Sequence, residues 1–294
     1  MQSARDIKGR IISVGNTRQI AKAMEVVSAT KMRRGQEVAI GSRNFAKALY
    51  EMFVAYDPQI IASQPLIAPR HIRRELVVVV SSDKGLAGAF NASVLRSAET
   101  YLFNSGIEHT VDVVTVGKKA RDYFKRSKVN VIREYISAGD YSTESQTRII
   151  SDYLLNHYLE KSCDKITLIS THFITTLQQE IYTQTVLPLD QGEIQKHLEM
   201  LRQDIKFKPY ERIFEPSQTA VLDVALPYLF HLKIYQAIIN SNASEHSARM
   251  LAMKKAGDNA KEIVSDLTLE YNKSRQASIT QELTEIVSGS QSVQ

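Results

Sequence analysis

Both ends of the chain carry the hydrophobic pattern of long helices. All seven prolines lie within residues 58–227, so the first 57 and the last 67 residues lack the residue that most often breaks a helix. Near the N-terminus apolar side chains recur with helical spacing, mostly every three or four residues. They are Ile7, Ile11, Val14, Ile20, Met24 and Val27. We predict helices over residues 3–56 and 228–287, with Pro227 either beginning or kinking the second.

The C-terminal segment repeats its apolar positions with the 3.5-residue period of a coiled coil. From Tyr228 to Leu267, steps of alternately four and three residues meet nine apolar side chains in twelve positions, and they place Ala256 and Ile263 in the contact seam. At 1.5 Å per residue the two helices span about 80 and 90 Å, whereas a 170-residue domain is only roughly 40 Å across. We therefore expect an antiparallel pair of long N- and C-terminal helices that face each other or a partner.

The middle of the chain alternates strand-like and helix-like segments. Nearly continuous apolar runs predict strands over 76–82, 111–117, 129–136 and 165–174, with helices over 91–105, 118–127 and 143–160 between them. Residues 180–189 predict an edge strand and 193–207 a further helix. The fold class predicted is α/β with a long coiled coil: a central Rossmann-like parallel-sheet domain over 58–216, and coiled-coil helices over 1–57 and 217–294.

Charge and composition narrow the class of protein. The net charge of +5 comes from residues 1–57, where ten Lys and Arg stand against five Asp and Glu, and this favours a local acidic partner. The single cysteine, Cys163, excludes an intramolecular disulfide. No apolar run approaches the roughly 20 residues of a membrane-spanning helix. The first residues lack the apolar core of a secretion signal, so we expect a protein that is not exported.

Catalytic motifs are missing from the sequence. The loop Asp83-Lys-Gly-Leu-Ala-Gly88 has two glycines. It matches neither of the nucleotide-binding patterns G-x-G-x-x-G and G-x-x-x-x-G-K-[ST]. The seven histidines include no pair at metal-ligand spacing, and no G-x-S-x-G turn occurs. We predict no catalytic, cofactor-binding or metal-binding residue. Two alternatives stay open: a coiled-coil structural adaptor that binds a protein or nucleic acid through the basic N-terminal helix, and a nucleotide-dependent enzyme on the α/β domain.

Four stretches resemble the gamma subunit of F-type ATP synthases. Residues 7–33, IKGRIISVGNTRQIAKAMEVVSATKMR, are similar to its N-terminal helix, and residues 271–289, YNKSRQASITQELTEIVSG, to its C-terminal signature. Residues 81–88, SSDKGLAG, resemble its loop after the first strand, and residues 243–253, ASEHSARMLAM, another of its helical blocks. The four stretches follow one another in the family's order along the whole chain, which makes the resemblance far more specific than any short motif.

The resemblance implies a central rotor shaft without bond chemistry of its own. Its partners would be the ring of alpha and beta subunits, the epsilon subunit and the membrane c-ring, with no cofactor and no nucleic acid. Because the cysteine-bearing insert of chloroplast members is absent, a bacterial-type member is implied. It would be peripheral to the cytoplasmic face of the plasma (inner) membrane and would serve ATP synthesis and hydrogen ion transport.

The resemblance also assigns partner contacts to individual residues. Those implied to contact the alpha/beta ring are Met24, Arg275, Gln276, Thr280 and Glu282. Those implied to lie toward the membrane ring and the epsilon subunit are Lys31, Arg33, Phe214 and Glu215.

Overall fold

The computed structural model describes residues 4–53, 56, 58–104, 109–127, 129–137, 143–190, 192 and 214–291. The chain divides into two compact units. The first comprises Met1–Ala29 and Arg249–Gln294, and the second Thr30–Ala248. The predicted helix over residues 193–207 lies outside the described residues, and the domain boundaries predicted from the sequence stay a prediction.

Two long helices form the ends of the chain, as predicted. Helix α1 is Ala4–Phe53, and helix α6 is Gln218–Gln291. Helix α6 begins ten residues before the predicted start, and Pro227 lies inside it, so this proline does not begin the helix. The start signal is Ser217, whose Oγ accepts a hydrogen bond from the backbone N–H of Ala220 at 3.2 Å and thereby satisfies one of the free donors of the first turn.

In the first unit the two helices approach closely at small residues, Ala21 of α1 and Gly257 of α6. A Cβ added to Gly257 would lie 4.0 Å from the Cβ of Ala21, which is ordinary van der Waals contact. The buried positions recur at intervals of seven or fourteen residues, as in a coiled coil. They are Ile7, Ala21 and Ser28 on α1 and Met253, Ala260 and Leu267 on α6.

The seam predicted for α6 is wrong at two positions. Ala256 is exposed and Ile263 is 46% exposed, whereas the half-buried positions are the next residues, Gly257 and Val264. Hydrophobicity favoured Ile263 in the sequence. The close contact at Gly257 instead places Gly257 and Val264 toward α1, because only a small residue at Gly257 lets the partner helix approach.

The apolar face predicted for α1 is wrong at two positions in the same way. Ile20 and Val27 are 62% and 54% exposed, and the neighbouring Ala21 and Ser28 are buried. Large apolar side chains therefore lie outside the helix contact on this stretch of α1.

In the second unit the same two helices run antiparallel. Gly35 faces Ala243, where an added Cβ would lie 3.3 Å from the alanine Cβ. Farther along α1, Val38 lines a cavity together with Tyr235 of α6. Residue numbers thus rise along α1 as they fall along α6.

The second unit contains a five-stranded sheet of order β3-β2-β1-β4-β5. Pairing is parallel from β3 to β4, and β5 is antiparallel to β4 at the edge, because a short hairpin joins them. The four predicted inner strands and the edge strand are confirmed. The strands are β1 Arg74–Val80, β2 Thr110–Val116, β3 Asn130–Tyr135, β4 Lys165–Phe173 and β5 Gln179–Leu187, and the shorter helices are α2 Pro58–Ala62, α3 Phe90–Asn104, α4 Lys118–Phe124 and α5 Glu144–Leu159.

Each face of the sheet has its own hydrophobic core. Side chains alternate along a strand, so Val78 of β1 joins a core with α5 and α6, whereas Val77 and Val79 join one with α3 and α4. Leu154 and Phe230 are fully buried in the first core, and the α/β prediction is thereby confirmed in its layers as well as its strands.

A buried carboxylate joins the amino ends of β1 and β4. The Glu75 side chain is 1% exposed, and its oxygens lie 3.0 Å from Lys165 Nζ and 2.8 Å from His109 Nε2. Tyr101 OH donates to it at 2.7 Å, and the Thr167 hydroxyl donates to it as well. Burial raises the pKa of Glu75, but the hydrogen bonds from Thr167, His109, Tyr101 and Lys165 together outweigh it and hold the pKa below its ordinary value.

We predict that Glu75→Gln lowers the free energy of unfolding by about 3 kcal/mol at pH 7, because it removes the charge that compensates half-buried Lys165. A carboxyl whose pKa is lowered on folding stabilises the protein above its ordinary pKa, 4.5 here, and loses that effect as the pH falls through its folded value. The difference from wild type should therefore shrink below pH 4.5.

Urea unfolding of the whole chain at pH 7 and in mild acid measures the loss of unfolding free energy and its dependence on pH. The exposed Glu160→Gln is the matched control and should change little at either pH. A Glu75→Gln difference that is equal at both pH values would contradict this account of the cluster.

Candidate functional site

The ring-contact residues assigned to α6 form one exposed surface. Arg275, Gln276, Thr280 and Glu282 are all exposed and lie within about two helical turns. Ile279 lies between them and Leu283 directly follows Glu282, and these two apolar side chains are 46% and 57% exposed. We call these six residues the tip surface. It presents two apolar side chains bordered by one cation, one anion and two neutral polar groups.

The polar groups of the tip surface differ in what they offer a partner. Thr280 Oγ1 donates to the carbonyl oxygen of Gln276 at 2.9 Å, so its proton is used inside the helix. Arg275 and Glu282 have no ion-pair partner within the part of the chain that the structure describes. The charges at either end of the tip surface are therefore available to another molecule.

Met24 belongs to a second surface on α1. It is half-buried and lies one turn after Ala21, beside Val26 and Val27, which are 55% and 54% exposed. Ala21 faces Gly257, and Arg275 follows Gly257 by 18 residues, about 27 Å along α6. The structure thus does not bring Met24 together with the tip surface. The residues predicted to contact the ring lie at two separate levels along the helices.

The residues assigned to the membrane-ring side lie in the second unit and differ in exposure. Lys31 is half-buried, and Arg33 is exposed. The Phe214 ring packs on the buried Tyr56 with 4.5 Å between ring centroids, so much of its surface serves the core. Glu215 is exposed and leaves its carboxylate to solvent.

The loop after β1 uses its polar groups internally. Asp83 Oδ1 accepts a hydrogen bond from the backbone N–H of Lys118 at 2.9 Å, and Ser81 Oγ accepts one from Ala120 at 2.8 Å. These are the first N–H groups of α4, which α/β proteins often use to hold a phosphate. A phosphate here would have to displace a carboxylate.

Helix α6 covers the same edge of the sheet. A cavity of about 240 Å³ lies between the strand ends and α6, lined by Ser81, Asp83 and Lys84 on one side and by Asn242 and Glu245 on the other. Pockets for small-molecule ligands usually measure about 300–1,000 Å³. The small volume and the two carboxylates disfavour the nucleotide-dependent enzyme that the sequence left open.

Other kinds of site gain no support from the described residues. Among them no group of three His, Cys, Asp or Glu is placed to hold a metal ion. No helix within the described ranges is both long enough and apolar enough to cross a bilayer. Burial raises the pKa of the Cys163 thiol to about 12, which makes it a poor nucleophile.

Long helices at both ends of the chain, antiparallel in the second unit, flank a mostly parallel five-stranded sheet and carry exposed large apolar side chains. These features are typical of a structural part that contacts other proteins. The sequence matches the protein family described as ATP synthase over residues 3–293. It is 38% identical to the ATP synthase gamma chain of Roseiflexus castenholzii, over 98% of each chain, and 37% identical to that of Geotalea uraniireducens, over 100% of this chain and 99% of the other.

The chain therefore belongs to the ATP synthase gamma chain family. Among solved structures it is similar in fold to a chain of the Euglena gracilis mitochondrial ATP synthase, described as OSCP/F1/c-ring in rotational state 3. The TM-score is 0.69 at 20% identity, and the match covers 99% of this chain and 94% of the other. A chain of the Tetrahymena thermophila mitochondrial ATP synthase, described as central stalk/c-ring, gives a TM-score of 0.62 at 23% identity, over 81% and 99%.

We predict different outcomes for aspartate substitutions at two neighbouring positions of α1. Ala21→Asp buries a charge at the Gly257 contact and should destabilise the helix pair by about 2 kcal/mol or more, whereas Ile20→Asp at a 62% exposed position should change it by less than about 0.5 kcal/mol. Amide hydrogen exchange over residues 4–29 in the isolated chain reports the local opening. Equal protection in the two variants would contradict the assignment of the seam.

Proposed function

We propose that the chain is the central rotating shaft of an ATP synthase and couples ion movement through a membrane ring to ATP synthesis or hydrolysis in a ring of alpha and beta subunits. The observation that carries this proposal is the exposure of large apolar side chains on α1 and α6, while small residues form the close contact of Ala21 with Gly257. Ile20, Val27 and Leu283 are each more than half exposed. Such surfaces are typical of protein contacts.

The chain itself catalyses no reaction in this proposal. Moving one charge through 100 mV releases about 2.3 kcal/mol, so several ions must act together for each ATP released. A shaft transmits that sum if it resists twisting, and two helices locked side by side resist better than one. Its asymmetric surface then favours a different conformation in each catalytic subunit that it faces.

Ring contact would occur at the two levels of the first unit. The tip surface would turn inside a sleeve of alpha and beta subunits, where apolar side chains such as Ile279 slide without fixed hydrogen bonds. Met24 would contact an acidic segment of a beta subunit, in keeping with the positive charge of residues 1–57. The side chains that would face the c-ring and the epsilon subunit are those of Lys31, Arg33, Phe214 and Glu215.

The location follows from these partners. A chain held between a soluble catalytic ring and a membrane ring is peripheral to the membrane. Similarity to bacterial gamma chains favours the cytoplasmic face of the plasma membrane. No observation on the described residues favours the adaptor or nucleic-acid alternative.

Met24→Lys should impair coupling more than folding. The added ammonium would form a new attraction to acidic groups of the facing subunit and hold the shaft in one position. We expect fewer ATP molecules per ion translocated in membrane vesicles, with unchanged thermal unfolding of the isolated chain. Met24→Leu is the control. Equal ATP yield per ion in the lysine variant and wild type would count against the contact.

Arg275→Glu should weaken assembly with the alpha/beta ring, because it reverses an exposed charge that has no ion-pair partner among the described residues. A rim charge of this kind contributes about 0.5–1 kcal/mol, so we expect an affinity loss of roughly fivefold or less at physiological salt, and more at low salt. Co-purification at two salt concentrations measures it, with Lys273→Glu as the matched control. Unchanged recovery would refute the assignment.

A further inference from the structure

A groove between α3 and α4 lies on the sheet face opposite to α5 and α6. Its volume is about 600 Å³. Leu95 and Phe124 form its floor and are 8% and 1% exposed, and Phe103 and Tyr123 stand at its rim, 59% and 37% exposed. We call it the α3–α4 groove. None of its residues belongs to the tip surface or to the contacts assigned above.

The acidic side chains in the α3–α4 groove are already engaged. Glu99 Oε2 accepts a hydrogen bond from Tyr123 OH at 2.9 Å. Asp122 Oδ1 accepts two from Arg121, at 2.9 and 2.7 Å. These bonds, with the nearby charges of Lys118 and Lys119, hold the pKa of Asp122 below its ordinary value. Arg121 thus compensates the charge of Asp122, whereas the partner of Glu99 is a neutral hydroxyl.

The basic side chains of the α3–α4 groove are not engaged in this way. Within the described part of the chain, the ammonium of Lys119 and the guanidinium of Arg126 make no hydrogen bond and no ion pair. Lys125, outside the groove, is instead paired with Glu134 at 2.9 Å. The groove therefore presents an apolar floor, an exposed phenylalanine and two cations without an ion pair, against one carboxylate, that of Glu99, which no cation of the described residues pairs.

We propose that the α3–α4 groove binds an acidic segment of a protein partner, with one large apolar side chain of that segment placed against Phe103 and Leu95. Charge complementarity selects the acidic segment, because each cation without an ion pair gains a carboxylate without displacing one of the chain's own. The concave shape selects a polypeptide over a lipid surface, since a bilayer requires apolar side chains that protrude. The apolar floor disfavours a free phosphate.

The test uses the full-length chain in the purified ATP synthase complex. Phe103→p-benzoylphenylalanine places a photoreactive group at the rim, and mass spectrometry maps the cross-linked peptide after irradiation. We expect one segment of another subunit, with a net negative charge and a large apolar residue near the cross-link. Lys119→Glu with Arg126→Glu should lower the yield by roughly fivefold or more at low salt.

Lys118→Glu is the control for a single charge reversal, because this exposed residue of α4 lies outside the groove. It should change the yield less than about twofold. Cross-links confined to lipid, to a neutral or basic segment or to no partner would overturn the proposal, and so would an equal loss in the control.

The outcome is separate from that of the shaft proposal. Failure of the chain to associate with alpha and beta subunits would reject the shaft but not the groove. In that case the isolated chain is titrated with a fluorescent synthetic peptide of Glu and Asp around one Phe. Binding that falls roughly fivefold or more in the double variant supports the groove, and no binding, or binding unchanged by the variant, overturns it.

Discussion

The close approach of α1 to α6 is the contact on which the other features depend. At Ala21 and Gly257 in the first unit, and at Gly35 and Ala243 in the second, at most one methyl group on each helix lies between the backbones. Because so little side-chain volume is needed there, Ile20 and Val27 are left outside the contact. The same choice of residues thus tightens the helix pair and supplies apolar surface for partners.

Helix α6 also occupies the edge of the sheet where α/β folds usually hold a ligand. Sheets with this layering usually bind ligands at the carboxyl ends of their strands. Here α6 supplies Asn242 and Glu245 to that edge, and Asp83 occupies the first turn of α4. The position where a related fold would hold a substrate is used to fix the long helix to the domain, which is the requirement of a part that transmits force.

Much of this architecture could be predicted from the sequence, because long proline-free periodic ends and β-branched runs such as Leu76–Val80 have few alternative structures. Which residues of α6 form the seam could not be predicted from the sequence. Ile263 is more hydrophobic than Val264, and only the packing at Gly257 decides which of the two faces α1. The start of α6 was predicted too late because proline usually begins or kinks a helix, which favoured Pro227 over the Ser217 cap. The Glu75 cluster and the α3–α4 groove join residues far apart in the chain, and no local pattern reports such contacts.

Rotation of the chain inside its complex tests the central claim most directly. A single reactive cysteine at Glu160→Cys can carry a gold rod, because the native Cys163 is buried and its raised pKa, about 12, keeps it unreactive. With the alpha and beta subunits fixed to a surface and ATP supplied, the account predicts continuous rotation of the rod in one direction. A rod that stays still while ATP is hydrolysed at the normal rate would contradict it.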